Sequence, residues 1–204
     1  MNGESKAIEL FAPKLLLGEG NDEVRLFSHF VTKLGLRDIQ VLAYHGKDKL
    51  SRFLGSLKQL PGYSRVTAIA TTRDADNDAN AAFQAVVGAL SQHGFPPPSE
   101  HARFTDGGDP SVGVFILPDG TRPGMLESAC YYSAVSPNES ACVDEFLACM
   151  DGKTPRYHDD KSRCYAWLAA QERPGLRIGE AAEKGLWNLD NDGFRPLIAF
   201  LRAL

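Results

Sequence analysis

A chain of 204 residues can bury one well-formed core, as a single domain or a domain with a smaller appendage. Hydrophobic residues make up 43% and charged residues 24%, ordinary for a globular protein, and no Gln, Ser, Pro or acidic tract suggests disorder. A formal net charge of −4 excludes the overall basicity of a passive nucleic-acid binder; it does not exclude an enzyme that meets phosphates through bound cations, which invert the local sign of charge.

The opening MNGESKAIEL lacks the basic-then-apolar order of a signal segment, and the apolar run 12–17 is broken by Pro13 and Lys14. A cytoplasmic protein with no membrane span is expected. Residues 13–18, PKLLLG, predict a first strand that stops at Glu19-Gly20-Asn21-Asp22. Val24, Phe27, Val31 and Leu34 then repeat at helical spacing, with Gly35 as C-cap. Residues 38–43 predict a second buried strand, and 47–60 a helix with Leu50, Phe53, Leu54 and Leu57 on one face, ended by Pro61-Gly62.

The β-rich stretch 65–72, RVTAIATT, predicts a strand buried on both faces. It runs into RDADNDANAAF, where Asp78 or Asn80 can cap a helix carrying Phe83, Val86, Val87 and Leu90. After a turn at 94–98, residues 112–117, VGVFIL, form the next strand. Strands separated by helices predict a mainly parallel, doubly wound sheet over residues 1–118. Beyond Pro118 the pattern predicts helices at 125–134, 139–150, 161–170 and 194–204, with polar breaks such as DGKTPRYHDD. Residues 119–204 therefore read as a helical C-terminal extension packed on the sheet. The cysteines, Cys130, Cys142, Cys149 and Cys164, have no CxxC spacing and read as buried reduced thiols; Tyr165, Trp167 and Trp187 read as core.

In open parallel sheets, ligands collect at the carboxyl ends of strands. Glu19 follows the first strand, and Asp74, Asp76 and Asp78 follow the strand at 65–72. Alternate residues of extended chain point the same way, so Asp74 and Asp76 can present two carboxylates to one cation, with Asp78 as a third candidate. Clustered like charges raise one another's pKa or require a cation, and Mg²⁺ with retained waters supplies one without a dedicated cage. The rival reading of DADND is a solvated loop and helix cap; Glu19 at an equivalent strand end favours a site. Glu23, four residues after Glu19, joins the set or simply complements the helix dipole, as does Asp22.

Glu127, in PGMLES, is a further metal ligand or a first-turn helix charge. Arg73, beside the DxD, and Lys161 are cations that can offset transition-state charge, or are an ion-pair partner and a solvated side chain respectively. His45 lies on the same sheet edge; the remaining histidines, His29, His93, His101 and His158, form no HxH or HExxH spacing.

At GEGNDE together with RDADND the sequence resembles the Toprim domain, which carries a Glu in a glycine-flanked turn after one strand and a DxD after a later one. With the helix around Leu50, the strand at 112–117 and PGMLESA, most of the chain is similar to the Toprim-like family labelled DUF3226. The resemblance implies a Toprim-like, Rossmann-like α/β fold and phosphodiester or phosphoanhydride chemistry with Mg²⁺ or Mn²⁺. It implies Glu19 as general base or ligand and Asp74 and Asp76 as ligands. OLD-type nucleases place a second acid four positions after the turn Glu; Glu23 matches, which implies a two-metal nuclease acting on DNA or RNA.

The catalytic tyrosine and clamping domains of topoisomerases, and the zinc-binding parts of primases, have no counterpart here. GxxxxGK[ST] is absent, which excludes P-loop nucleotide hydrolysis by these residues; a separate partner could supply the ATPase that accompanies OLD nucleases. A different class of reading is a non-catalytic metal- or nucleotide-binding module serving regulation or partner assembly. A phosphatase or receiver domain is disfavoured, because those place an Asp nucleophile where this chain has Glu19.

Overall fold

A computed structural model describes residues 8–151 and 159–204. Four parallel strands, β1 (Lys14–Gly18), β2 (Ile39–Ala43), β3 (Ala68–Asp74) and β4 (Ser111–Leu117), stand in the order β2-β1-β3-β4. Parallel neighbours need long crossovers, and helices supply them. α1 (Asn21–Lys33) links β1 to β2, α2 (Leu50–Leu57) lies between β2 and β3, and α3 (Ala79–Gln92) links β3 to β4. The chain moves outward from β1 to β2, then crosses back over β1 to β3. The strand order thus reverses between β1 and β3, at whose carboxyl ends Glu19 and Asp74 stand.

Successive strand residues divide between two cores, as a sheet covered on both faces requires. Leu16, Ala70, Phe115 and Leu117 face a layer holding Leu26, Phe27 and Phe30 of α1. Leu15, Leu17, Ile69, Val114 and Ile116 face Leu50, Leu54 and Leu57 of α2 and Phe83, Val86 and Leu90 of α3. The helices after β4 are α4 (Leu126–Ala134), α5 (Pro137–Asp151), α6 (Asp160–Ala169), α7 (Ile178–Glu183) and α8 (Arg195–Ala203). Their Leu126, Cys130, Leu168, Ile178 and Phe200 join the same core layer as α1. The sheet is thus doubly wound and flanked by helices, with the later helices closing one face.

Several expectations are corrected. β2 is an edge strand in which Gln40 alone is buried, because a neighbour covers it on one side only. The helix expected from residue 47 opens as a 3-10 turn, Lys47–Lys49, and α2 begins at Leu50. β3 starts later and extends to Asp74, beyond residue 72. α7 was not foreseen; six residues are too few to show a helical period. Cys130 and Cys164 are buried as expected, whereas Cys142 and Cys149 are exposed on α5. Trp167 and Trp187 are core and Tyr165 is partly exposed. Most of the polar break DGKTPRYHDD, including His158, lies outside the described residues. Among the described residues no helix is long and apolar enough to cross a membrane.

A candidate metal centre at the strand reversal

Gly18 ends β1 where α1 makes its closest approach: a Cβ there would lie 2.7 Å from the Cβ of Glu23. The missing side chain lets the first turn of α1 settle against the strand, with Glu19 and Glu23 at one opening. The Glu23 side chain folds back to accept the Gly20 N–H through Oε2 at 2.9 Å, the acidic half of a capping box. The chain leaving β2 turns through positive φ at His45 (64°) and Gly46 (118°). Gly46 N–H then donates to the Glu19 carbonyl at 3.0 Å, and Lys47 N–H donates to the Glu19 carboxylate.

Asp74, the last residue of β3, accepts the Leu126 N–H through Oδ1 at 2.9 Å and so binds the N-terminus of α4. A helix end that would otherwise carry an orphan donor is anchored to the sheet. The next residue of α4, Glu127, is 7% exposed, and its Oε1 lies 3.2 Å from Lys161 Nζ on α6. Glu19, Asp22, Glu23, Asp74 and Glu127 line one cleft of about 510 Å³ together with His45, Lys161, Tyr165 and Arg177. A larger cleft of about 990 Å³ lies between α1 and α8 and holds none of these carboxylates.

The electrostatics of the cleft are unbalanced. Arg177 holds Asp22 at 2.9 Å and Lys161 holds Glu127, but among the described residues Glu19, Glu23 and Asp74 have no cation in contact. Burial, then the charges of Glu23, Glu127 and Glu19, raise the Asp74 carboxyl well above its ordinary range. Burial foremost raises Glu19 and Glu23 too, and repulsion from Asp76 and from Glu19 respectively adds to it. Burial lowers the tendency of Lys161 to hold its proton, yet the neighbouring Glu127 carboxylate leaves its pKa raised. Tyr165 is pushed up to about 12, by burial and then by the charges of Asp22 and Glu127, so it faces the cleft as a neutral phenol. Arg73 Nε is buried without a hydrogen-bond partner among the described residues, and the charge of the guanidinium is felt at Glu19.

A family model described as "Protein of unknown function (DUF3226)" matches residues 13–204. The chain belongs to the DUF3226 family. Among solved structures, the C-terminal region of the Burkholderia pseudomallei OLD protein is similar over 95% of this chain and 98% of that one, at 16% identity and a TM-score of 0.52. The C-terminal region of the Xanthomonas campestris pv. campestris OLD protein aligns over 95% of this chain and 96% of that one, at 11% identity and a TM-score of 0.47. No curated protein matches the chain. At 16% identity the first likeness establishes a shared fold, in agreement with the α/β class expected from the sequence.

Within this DUF3226 protein the expected residues separate into groups. Glu19, Glu23, Asp74, Glu127 and Lys161 meet in the cleft. Asp76 does not share that lining. It sits at φ 51°, bridged to Gly124 by backbone hydrogen bonds of 2.9 and 2.8 Å, and its Oδ2 pairs with Lys47 Nζ at 3.0 Å beside a neighbouring cleft. The expected alternation of Asp74 and Asp76 fails because the extended conformation ends with the strand. Asp78 is exposed and caps α3, its Oδ1 accepting the Ala81 N–H at 2.9 Å. Arg73 lies near Glu19 rather than in contact with the DxD carboxylates.

Three lining or flanking residues escaped the sequence reading. Tyr165 had a signal, since it follows Lys161 by one helical turn. Lys47 and Arg177 had none, because their partners Asp76 and Asp22 lie 29 and 155 residues away. Among the described residues no three His, Cys, Asp or Glu side chains already stand in position to hold one ion. The donor set is nevertheless all carboxylate oxygen, and Mg²⁺ takes one or two carboxylates and keeps waters for its remaining positions. The residues therefore fit a hard divalent cation.

Proposed function

We propose that the cleft binds Mg²⁺ or Mn²⁺ and that the protein is a metal-dependent nuclease acting on phosphodiesters of DNA or RNA. The observation that carries this reading is the set of three carboxylates, Glu19, Glu23 and Asp74, gathered at the strand reversal with no cation in contact among the described residues. Three such groups are costly to hold together unless they are protonated or bind a cation. A bound divalent ion would supply an activated water and neutralise charge on a phosphoryl oxygen.

The chain's own groups then have distinct tasks. Glu19 and Glu23, raised above the ordinary carboxylate range, hold or accept a proton at the mouth of the cleft. Asp74 fixes α4 through Leu126 N–H while offering its second oxygen to the cleft. Lys161 Nζ, beside Glu127, and Arg73, beside Glu19, offset negative charge on a phosphoryl group. The fold likeness to the C-terminal region of an OLD protein supports a domain that works with further parts, and a separate ATPase is the partner we propose.

Calorimetric titration with Mg²⁺ and Mn²⁺, run beside cleavage assays on single- and double-stranded DNA and RNA, tests the reading. Cleavage abolished by EDTA and by Glu19→Gln, with the melting temperature of the variant unchanged, is expected. Equal cleavage with EDTA or by Glu19→Gln would overturn it. Metal binding without turnover on every substrate favours the second reading, a non-catalytic module; that among the described residues no three ligands stand ready around one point is the observation on its side.

A further inference from the structure

Lys47 touches both halves of the carboxylate set. Its backbone N–H donates to the Glu19 carboxylate, and its ammonium lies 3.0 Å from Asp76 Oδ2, with the two side chains 52% and 47% exposed. Positive φ at His45, Gly46 and Asp76 fixes the two backbones, so the pair is held by loop geometry on both sides. Asp76 is a near neighbour of Glu19, since its charge is felt there, yet its carboxylate lines the adjacent cleft with Lys47 and Asn77. The pairing thus draws the second acid of the DxD away from Asp74.

We propose that Lys47 is an internal counter-cation for Asp76, which a divalent ion must displace before Asp76 can join Glu19 and Asp74, so that Lys47 sets the metal affinity of the site. The inference rests on the metal-binding reading above. Among the described residues no three side chains stand ready to hold one ion, and the pairing with Lys47 is what keeps Asp76 from adding to Glu19 and Asp74. The ion pair is weak enough to yield. An exposed pair is worth at most about fivefold in an equilibrium, and a cluster of carboxylates attracts a doubly charged ion more strongly than it does a single ammonium.

Titration of the metal-free full chain with Mn²⁺ by calorimetry tests this on wild type, Lys47→Met, Lys47→Arg, Asp76→Asn and the Lys47→Met/Asp76→Asn double variant. Lys47→Met keeps the backbone N–H to Glu19 and is expected to bind Mn²⁺ about fivefold more tightly than wild type. Lys47→Arg, which keeps the charge, stays near wild type, and in the Asp76→Asn background Lys47→Met brings no gain. Wild-type binding with equal or weaker binding by Lys47→Met overturns the inference and leaves the metal reading standing. Binding by Lys47→Arg as tight as by Lys47→Met overturns the role of the charge. Binding by Lys47→Met alone supports the inference, and no binding by either protein overturns both it and the metal reading.

Discussion

Replacing Gly18 with Ala adds one methyl group where α1 meets β1. That Cβ would stand 2.7 Å from Glu23 Cβ and 3.5 Å from Phe27 Cε2, whereas ordinary contact begins at 3.4 Å. A Cβ has no rotamer through which to escape, and its partner is also a Cβ. The first turn of α1 must therefore retreat by roughly 0.7 Å. Overpacking of this kind costs about 1–3 kcal/mol, and replacing a strand glycine returns about 0.5–1 kcal/mol of chain entropy. A net loss of up to about 2.5 kcal/mol follows, centred near ~1 kcal/mol, or a fall of roughly 2–4 °C in melting temperature at this size for the central value. Urea unfolding followed by circular dichroism measures the loss. Because Glu23 moves with the helix, Mn²⁺ affinity should fall as well. Gly88→Ala, in exposed mid-α3 with nothing within 4 Å of its Cβ, is the control and should stabilise by about 0.5–1 kcal/mol. If Gly18→Ala were as stable as wild type, the close approach would not be what keeps Gly18 bare.

Asp78→Ala removes the cap on Ala81 N–H and should cost about 1 kcal/mol in urea unfolding while leaving Mn²⁺ affinity intact; a large affinity loss would return Asp78 to the metal set. For Asp74, burial and then neighbouring carboxylates raise the folded pKa above the ordinary 3.8, so the folded state holds this proton more tightly than the unfolded state. The ionisation penalty is absent below about pH 3.8 and grows as pH rises through the raised folded value. The stability of metal-free wild type relative to Asp74→Asn should therefore fall with rising pH across that window, and a flat difference would count against the repulsion. Mn²⁺ at a hundred times its dissociation constant should stabilise the fold by about 2.7 kcal/mol, reversed by EDTA; an unmoved melting curve would speak against binding. A thiol reagent should modify Cys142 and Cys149 in the native protein and reach Cys130 and Cys164 only on unfolding.

The strands and the main helices were legible because each is written in a local period. VGVFIL reads as a strand, and β4 is one; Phe83, Val86 and Leu90 mark α3 at helical spacing. The burial of β2 was misread because IQVLA is as apolar as a central strand, and its edge position depends on which neighbours it acquires. In the site, Glu19 and Asp74 were readable as acids at strand ends. Asp76 was not, because a single φ of 51° and a lysine from another loop decide where its carboxylate goes.

By itself the sequence determined the order of the strands and main helices, the parallel α/β class, the family and the acids that close β1 and β3, since apolar period, turn residues and motif spacing are properties of neighbouring residues. Tertiary structure alone decided the company each charge keeps. It paired Lys47 with Asp76, Lys161 with Glu127 and Arg177 with Asp22, and it left Glu19, Glu23 and Asp74 facing one another. The physical reason is range: a charge acts over a few ångströms of space, and only the fold brings residues 29 to 155 positions apart within that distance.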